Sequence, residues 1–146
     1  ALRVVLALSI GMPELPTVLV SAAALIDRDG RVLLCQRPPG KHLAGTWEFP
    51  GGKVEATETP EAALIRELSE ELGVNTQESC LAPTGFASHR YDSFHLILLL
   101  FACRKWTGTP RGLEGQALQW ARVPQMFSLD MPPADRPLLG ILDALI

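Results

Sequence analysis

The sequence has little cysteine or histidine, and neither residue type occurs at a metal-binding spacing. The three cysteines are scattered, and each lies in or beside an apolar run; they are Cys35, Cys80 and Cys103. The three histidines also lack such a spacing. This distribution disfavours a disulfide framework and a zinc site, and it favours buried free thiols in a reducing compartment. We therefore expect a cytoplasmic protein.

The sequence also lacks an excess of positive charge, a membrane-spanning run and internal repeats. Its formal net charge is -3, and 47% of its 146 residues are hydrophobic. Because duplex nucleic acid is bound by basic surfaces, we expect no duplex binding. No apolar run approaches the roughly 20 residues that a membrane-spanning helix requires, so we expect no membrane contact. Length and composition predict one globular domain with a core of its own.

The N-terminal residues match no clear structural pattern. Arg3 precedes an apolar run at residues 4–10 that faintly resembles a signal sequence, but the run is short and no convincing cleavage site follows it. Met12 offers an alternative start, which would make the preceding residues an upstream extension. We therefore predict an N-terminal extension without an assigned role at residues 1–16 and one domain at residues 17–146.

From residue 17 onward, β-prone runs lie on both sides of a central amphipathic helix. Residues 17–26 and 31–36 are apolar runs joined by Asp27-Arg28-Asp29-Gly30, a sequence that predicts a hairpin. Further strands are predicted at residues 47–49, 80–89, 94–106 and 117–123, and a C-terminal helix at residues 137–146. The run 96–103 is continuously apolar, which predicts burial on both faces. This order predicts an α/β protein with a mixed sheet between helices.

The central helix carries signals for its start, its end and its buried face. Thr59 can cap the N-terminus, Pro60 suits the first helical position, and Gly73 can end the helix in a left-handed conformation. The apolar residues between them share one arc of about 100°, which predicts a face packed on the core. They are Leu64, Ile65, Leu68 and Leu72.

Three glutamates share a neighbouring arc of this helix. Glu67, Glu70 and Glu71 are three and four residues apart, and Arg66 can relieve only Glu70 at that spacing. On a solvated face these like charges would repel by a few tenths of a kcal/mol per pair. A hard divalent cation such as Mg²⁺ or Mn²⁺ would instead bind their oxygens. The helix alone leaves a charged surface and a metal site as alternatives.

The sequence around the helix favours the metal site. Gly52 is followed by Glu58, and then by Arg-Glu-Leu-Ser-Glu-Glu-Leu-Gly-Val at residues 66–74. This pattern resembles the signature of the Nudix hydrolases at every defined position. The resemblance extends upstream through Trp-Glu-Phe-Pro-Gly at residues 47–51 and downstream to Pro-Pro-Ala-Asp at residues 132–135. It covers roughly residues 17 to 142 and is similar to the MutT-type subgroup, which removes damaged nucleoside triphosphates.

The resemblance implies a Nudix-type α/β/α sandwich and a set of metal ligands. Glu67, Glu70 and Glu71 match the metal-binding glutamates of the family. Gly51 matches the glycine whose carbonyl oxygen also binds the metal, which is Mg²⁺ or alternatively Mn²⁺. Glu114 resembles a distant glutamate that completes this site in MutT-type enzymes, although an exposed loop carboxylate is the alternative interpretation.

The resemblance also implies catalytic roles. Glu67 is the first candidate for the base that activates the attacking water, and Glu114 is the second. Arg66 matches the arginine that orients Glu67, with an ordinary surface salt bridge as the alternative. Glu58 matches the first glutamate of the motif, where a structural role and a metal contact are both open.

The residues that would recognise the substrate match the family less closely. Arg37 resembles the arginine that binds the substrate phosphates, and Phe49 matches the aromatic residue beside the purine. Asp135 stands where the subgroup commonly has an asparagine that reads 8-oxoguanine, and Phe94 stands where an arginine contacts the base. An ionised aspartate only accepts hydrogen bonds, so it suits an amino group better than a carbonyl. The structural alternatives are a core position for Phe49 and a helix N-cap for Asp135.

The resemblance therefore implies a Mg²⁺-dependent nucleoside triphosphate pyrophosphohydrolase in nucleotide-pool sanitation. Its first expected substrate is 8-oxo-dGTP, and CTP or a 5-substituted cytosine nucleotide is the alternative. A nucleotide-sugar or dinucleoside-polyphosphate hydrolase fits less well because of residues 132–135 and the small size. A module that only binds nucleotides predicts the loss of a motif carboxylate, and none is lost. A monomer and a small homo-oligomer both remain open.

Overall fold

The computed structural model describes residues 15–146, so most of the predicted extension at residues 1–16 lies outside the described part. The elements follow in the order β1 (Thr17–Leu25), β2 (Val32–Gln36), β3 (Trp47–Glu48), β4 (Gly51–Lys53), α1 (Pro60–Leu72), a 3₁₀ turn (Glu78–Cys80), β5 (Leu81–Arg90), β6 (His95–Cys103), β7 (Leu118–Ala121), α2 (Val123–Met126) and α3 (Pro137–Leu145). In the described part, no helix is long and apolar enough to cross a membrane.

The strands form two sheets. The first has the order β4-β1-β6-β5 and is mixed, because β1 runs parallel to β6 and antiparallel to β4. The second has the order β3-β2-β7 and is antiparallel throughout. The predicted α/β class with a mixed sheet is confirmed, and the second sheet is an addition that the sequence did not indicate.

The predicted hairpin between the first two strands is wrong as a pairing. The turn itself forms, since Asp27 Oδ1 accepts from the Asp29 and Arg31 N–H groups at 3.0 and 2.8 Å. However, β1 and β2 share only one isolated bridge, between Ile26 and Val32, before they enter different sheets. Beyond this bridge β2 pairs with β3 and β7, while β1 pairs with β6 along its whole length and with β4 at residues 20–22.

Helix α1 begins and ends where the sequence predicts. Thr59 Oγ1 accepts from the Ala62 N–H at 3.1 Å, Pro60 is the first helical residue, and Gly73 adopts φ 67° at the C-terminal cap. Leu64, Leu68 and Leu72 are fully buried against the mixed sheet. Burial of such side chains stabilises by about 1.5–3 kcal/mol each. This packing fixes the rotation of the helix and therefore the direction of its glutamates.

Helix α3 covers the opposite side of the mixed sheet. Its apolar face is buried together with residues of β5 and β6. The buried residues of the helix are Leu138, Leu139 and Leu142. The sheet therefore lies between α1 on one face and α3 on the other, as the predicted sandwich requires.

Candidate active site

The glycine turn before α1 brings backbone and helix into close contact. Gly51 and Gly52 form part of β4, which pairs with β1 at Ala22 and Ser21. A Cβ on Gly51 would overlap the backbone of Ser21, and a Cβ on Gly52 would overlap the carboxylate of Glu67. Only glycine leaves room for this approach. The turn therefore seats the Glu67 carboxylate directly against the Gly52 backbone.

Arg66 donates hydrogen bonds to the carboxylates of Glu58 and Glu67 and lies near that of Glu70. Its Nε and Nη2 donate to the two oxygens of Glu58 at 2.7 and 2.8 Å, and its Nη1 donates to Glu67 Oε1 at 2.9 Å. Glu70 is only a distant third partner, at 3.4 Å, with its side chain 57% exposed. The hydrogen bonds from Arg66 lower the pKa of Glu58 to about 2. Arg66 therefore holds Glu67 in place, and Glu58 anchors Arg66.

A loop from a distant part of the chain is tied to the C-terminal end of α1. The Leu113 N–H donates to the Glu71 carbonyl at 3.0 Å, and the Gln116 side chain donates to the same carbonyl at 3.2 Å. The Gln116 side chain also accepts from the Glu114 N–H at 2.9 Å. These bonds place Glu114 beside the helix, where the sequence analysis predicted that it would complete a site.

Glu71 and Glu114 line a cavity of about 150 Å³, which we call the acidic cavity. Its wall also contains Cys35, Gln36, Arg37, Pro38, Lys41, Glu48, Gly51 and Gln116. Burial and the neighbouring Glu67 carboxyl raise the pKa of Glu71 to about 9. The charges that raise the pKa of Glu71 are those of the carboxylates Glu67, Glu114 and Glu48, so a bound positive charge would relieve their repulsion.

The donors around the acidic cavity suit a hard divalent cation. The carboxylates of Glu67, Glu71 and Glu114 and the Gly51 carbonyl supply oxygen ligands, which Mg²⁺ and Mn²⁺ prefer. Within residues 15–146, however, no three Asp, Glu, His or Cys side chains already converge as a formed ligand set. The side chain of Glu67 points to Arg66, and that of Glu70 is largely exposed. The chemistry of the donors fits a metal, while their convergence stays a prediction.

A second cavity, of about 230 Å³, lies next to the first, and we call it the nucleoside cavity. Its apolar wall contains Val18, Val20, Ala22, Leu43, Phe49, Phe94, Leu96, Leu98 and Pro132. Its polar wall contains Arg37, His42, Glu48, Gly51, Gly52, Lys53, Tyr91 and Asp135. A pocket with an apolar wall and polar groups that converge on it is typical of a site for a small organic ligand.

Asp135 is buried in this cavity wall and does not cap the last helix. It is 5% exposed, and its Oδ2 accepts from the Phe49 N–H at 3.1 Å. The cap position of α3 is Arg136, which makes no capping hydrogen bond with its side chain. The capping alternative is therefore wrong, because the side chain turns inward to a distant strand. Burial and then the charge of Glu48 raise the pKa of Asp135 to about 8.

Arg37 and Glu48 separate the two cavities. Arg37 Nη1 lies 3.0 Å from Glu48 Oε2, and Arg37 Nε donates to the His42 carbonyl at 2.7 Å. Both residues line both cavities. The predicted phosphate-binding arginine is thus held at the boundary by a carboxylate. Burial raises the pKa of Glu48, and the charge of Arg37 opposes this rise.

The sequence analysis did not assign Glu48 or Tyr91 to the site. Tyr91 stacks on Phe94 with ring centroids 4.9 Å apart, and it forms a T-shaped pair with His42 whose ring centroids are 5.3 Å apart. In the sequence Tyr91 lies between the strands predicted at residues 80–89 and 94–106. Glu48 lies between Trp47 and Phe49 on a predicted strand. Because neighbouring strand residues point to opposite faces, this position was the available signal for a carboxylate on the face opposite to the two aromatic side chains. Phe94, which was noted, does line the cavity.

Comparison with known proteins agrees with this geometry. Residues 21–140 match the family described as the NUDIX domain. The CTP pyrophosphohydrolase of Escherichia coli strain K12 is 42% identical over 127 residues, covering 84% of this chain and 90% of that protein. The 8-oxo-dGTP diphosphatase of the same organism is 32% identical over 126 residues, covering 86% and 96%. The solution structure of the E. coli ORF135 protein superposes with a TM-score of 0.78 at 36% identity, covering 92% and 95%.

Proposed function

Because this chain belongs to the Nudix hydrolase family and is a nucleoside triphosphate pyrophosphohydrolase, we propose that it hydrolyses 8-oxo-dGTP with Mg²⁺. The products are a nucleoside monophosphate and pyrophosphate, and the process is nucleotide-pool sanitation. Residues 17–146 form the catalytic domain in this proposal. The free cysteines of the described part support a reducing, cytoplasmic setting.

The proposal rests on one observation, which is that the nucleoside cavity and the acidic cavity lie side by side. Arg37, Glu48 and Gly51 line both of them, so the two cavities adjoin at these residues. A nucleotide placed across this boundary has its base in the nucleoside cavity and its phosphates beside the acidic cavity. Arg37 then lies at the junction, and Lys41 lies in the acidic cavity wall, where each supplies positive charge to the phosphates.

Nudix hydrolases generally use divalent metals. In our proposal Glu67, Glu70, Glu71, Glu114 and the Gly51 carbonyl hold Mg²⁺, with Mn²⁺ as a substitute. The ion, when bound, neutralises phosphate charge and lowers the pKa of a water molecule. Arg66 holds the Glu67 carboxylate in position through its 2.9 Å contact, and Glu67 accepts the proton of the attacking water. Glu114 is the alternative base.

CTP, or a 5-substituted cytosine nucleotide, is the alternative substrate. Two observations favour it: the 42% identical relative is named CTP pyrophosphohydrolase, and Asp135 lines the nucleoside cavity. An ionised Asp135 accepts a hydrogen bond from the amino group of cytosine. The partner is in either case a small nucleotide, and a monomer or small homo-oligomer would serve equally well.

A substrate panel tests the proposal. Purified protein is incubated with Mg²⁺ and each of 8-oxo-dGTP, dGTP, CTP, a 5-substituted CTP and a nucleotide sugar, and pyrophosphate release is measured. We expect 8-oxo-dGTP to have the highest kcat/KM and to exceed dGTP by at least tenfold. Higher kcat/KM for CTP would favour the alternative substrate. Hydrolysis of the nucleotide sugar to a sugar phosphate, with no pyrophosphate released from any triphosphate, would contradict both substrates.

A further inference from the structure

A third cavity, of about 360 Å³, lies at the carboxyl ends of the parallel strands β1 and β6. The first residues after these strands, Ile26 and Arg104, both line it. On β1 the nucleoside cavity is lined as far as Ala22, about 13 Å from Ile26 along the strand. The third cavity shares no lining residue with the other two. We call it the basic cavity, and its wall consists of Ile26, Asp27, Arg28, Arg104, Lys105 and Trp106.

The cations of the basic cavity form no ion pair within residues 15–146. Arg28, Arg104 and Lys105 are all exposed, and none of them lies within ion-pair distance of a carboxylate in this part of the chain. The carboxylate of the wall belongs to Asp27, and Arg31 Nε donates to its Oδ2 at 2.8 Å. The three wall cations therefore remain uncompensated, and a bound anion would relieve their repulsion.

The backbone that carries these side chains is held in place on both sides of the basic cavity. On the β1 side, Asp27 closes the turn, and Arg122 Nη1 donates to the Asp29 carbonyl of the same turn at 2.6 Å. On the β6 side, the Thr76 hydroxyl donates to the Lys105 carbonyl at 2.8 Å. Since the backbone is already fixed, an anion has to order only the side chains, which lowers the entropic cost of binding.

The donors in the wall suit phosphate oxygens. A guanidinium group can donate two parallel hydrogen bonds to a phosphate, and an ammonium group adds a compact positive charge. The wall contains two guanidinium groups, those of Arg28 and Arg104, and the ammonium group of Lys105. A single small anion would use only part of this set, whereas two linked phosphoryl groups present oxygens to all three cations. The volume of the cavity is in the range of sites for small molecules.

We propose that the basic cavity is a second ligand site, which binds a compact diphosphate group away from the active site. The group comes from free pyrophosphate or from a nucleoside diphosphate, and both sources present the same oxygens to the wall. Trp106 lines the cavity, and its ring stacks with that of Trp120, with centroids 6.3 Å apart. Its fluorescence therefore reports a bound anion. The inference does not depend on the proposed function, because it uses only the wall of this cavity.

Titration with inorganic pyrophosphate in the presence of chelator tests the site. Without a metal, the carboxylates of the acidic cavity repel this anion, so the titration reports on the basic cavity. Tryptophan fluorescence follows the binding, and calorimetry gives the stoichiometry. We expect saturable binding of one pyrophosphate per chain, with an affinity that falls as the salt concentration rises. The absence of saturable binding at millimolar pyrophosphate would overturn the inference.

Two double variants of equal net charge locate the bound anion. Arg28→Gln/Arg104→Gln removes both guanidinium groups of the wall, so the dissociation constant of pyrophosphate should rise by about tenfold or more. Arg90→Gln/Arg111→Gln removes two exposed arginines outside all three cavities and should change it by less than about twofold. Circular dichroism melts check that both variants are folded. An unchanged affinity in the first variant, or an equal loss in both, would overturn the inference.

A nucleoside diphosphate distinguishes the two sources of the group. Calorimetry with CDP and chelator is carried out on the wild type and on Arg28→Gln/Arg104→Gln, and the binding that differs between them belongs to the basic cavity. Tighter binding of CDP than of pyrophosphate there, reduced in Trp106→Ala, would support a nucleotide as the ligand. Equal or weaker binding of CDP would support free pyrophosphate. Failure of the substrate panel leaves these results unaffected, because the titrations use neither metal nor turnover.

Discussion

The acidic cavity and the nucleoside cavity are neighbours, but they are assembled in different ways. The acidic cavity takes its carboxylates from α1, β3 and the loop hydrogen-bonded to the end of α1, and the rest of its wall from β2, the loop after β2 and β4. The nucleoside cavity is assembled from β1, β3, β4, β6, two loops and the segment before α3. Both cavities therefore need the complete fold, but α1 alone fixes the spacing of the helical glutamates, whereas no single element fixes the wall of the nucleoside cavity.

This difference suggests that the acidic cavity carries out the chemistry and that the nucleoside cavity selects the base. Carboxylates on a helix have a fixed spacing, so the acidic cavity can keep the same chemistry whichever base is bound. The walls of the nucleoside cavity can change residue by residue without disturbing that spacing. Substitutions in the acidic cavity should therefore slow all substrates alike, whereas those in the nucleoside cavity should change affinity and ranking.

The largest expected effect is that of Glu67→Gln. The amide cannot accept the proton of the attacking water, so kcat should fall by about 10²–10⁴-fold for 8-oxo-dGTP and CTP alike. Steady-state kinetics with both substrates measure this effect. Glu61→Gln, in the first turn of the same helix and outside both cavities, is the matched control and should keep kcat within about twofold. Turnover near the wild-type value in Glu67→Gln would exclude this residue as the base.

A smaller and different effect is expected for Tyr91→Ala. Stacking of a base on an aromatic side chain contributes about 1–3 kcal/mol, so nucleotide affinity should fall by roughly 5- to 150-fold. Titration with 8-oxo-dGMP measures this loss, and kcat should change much less than affinity. Phe86, 65% exposed on β5 and outside both cavities, provides the control variant Phe86→Ala. Equal losses of affinity in the two variants would argue against a role for Tyr91 in binding the base.

The smallest effect concerns stability of the metal-free protein. Burial and Glu67 raise the pKa of Glu71 to about 9, so the folded state binds this proton more tightly than the unfolded state does. Stability contributed by this group is therefore present at low pH and is lost as pH rises from about 4.5 toward 9. Glu71→Gln should stabilise the metal-free protein by about 1–2 kcal/mol near pH 8 and flatten this pH dependence. Urea unfolding with chelator at several pH values measures both; a destabilised variant would contradict the account.

The same difference explains what the sequence could predict. Thr59, Pro60 and Gly73 mark the bounds of α1 because capping depends only on neighbouring residues. The arc of apolar residues correctly predicts which face is buried. Glu114, which the resemblance to MutT-type enzymes suggested for the metal site, lies in the same cavity wall as Glu71. These features depend on local geometry or on a resemblance with fixed spacing.

The incorrect or missing predictions involve contacts between distant residues. Asp135 follows two prolines and precedes a helix, so a cap was a reasonable local alternative, but its partner is the Phe49 N–H. Strand β2 shares one bridge with β1 and then pairs with β7, whose residues lie more than 80 positions further along the chain. The run 96–103 is fully buried at Leu98, Leu100, Phe101 and Cys103 and half-buried at its other positions, so the prediction of burial on both faces holds only in part. None of these facts can be read from neighbouring residues alone.

The claim that the acidic cavity binds the metal and the nucleoside cavity does not is tested most directly by thermal unfolding with chelator and with saturating Mg²⁺. An ion that binds only the folded state adds about 2.7 kcal/mol of stability at 100 times its dissociation constant, which is a rise of roughly 5–10 °C in Tm. We expect this rise in the wild type and in Asp135→Asn, and we expect it to be largely lost in Glu71→Gln. A Tm that does not respond to Mg²⁺ in the wild type, or responds equally in Glu71→Gln, would contradict a metal site in the acidic cavity.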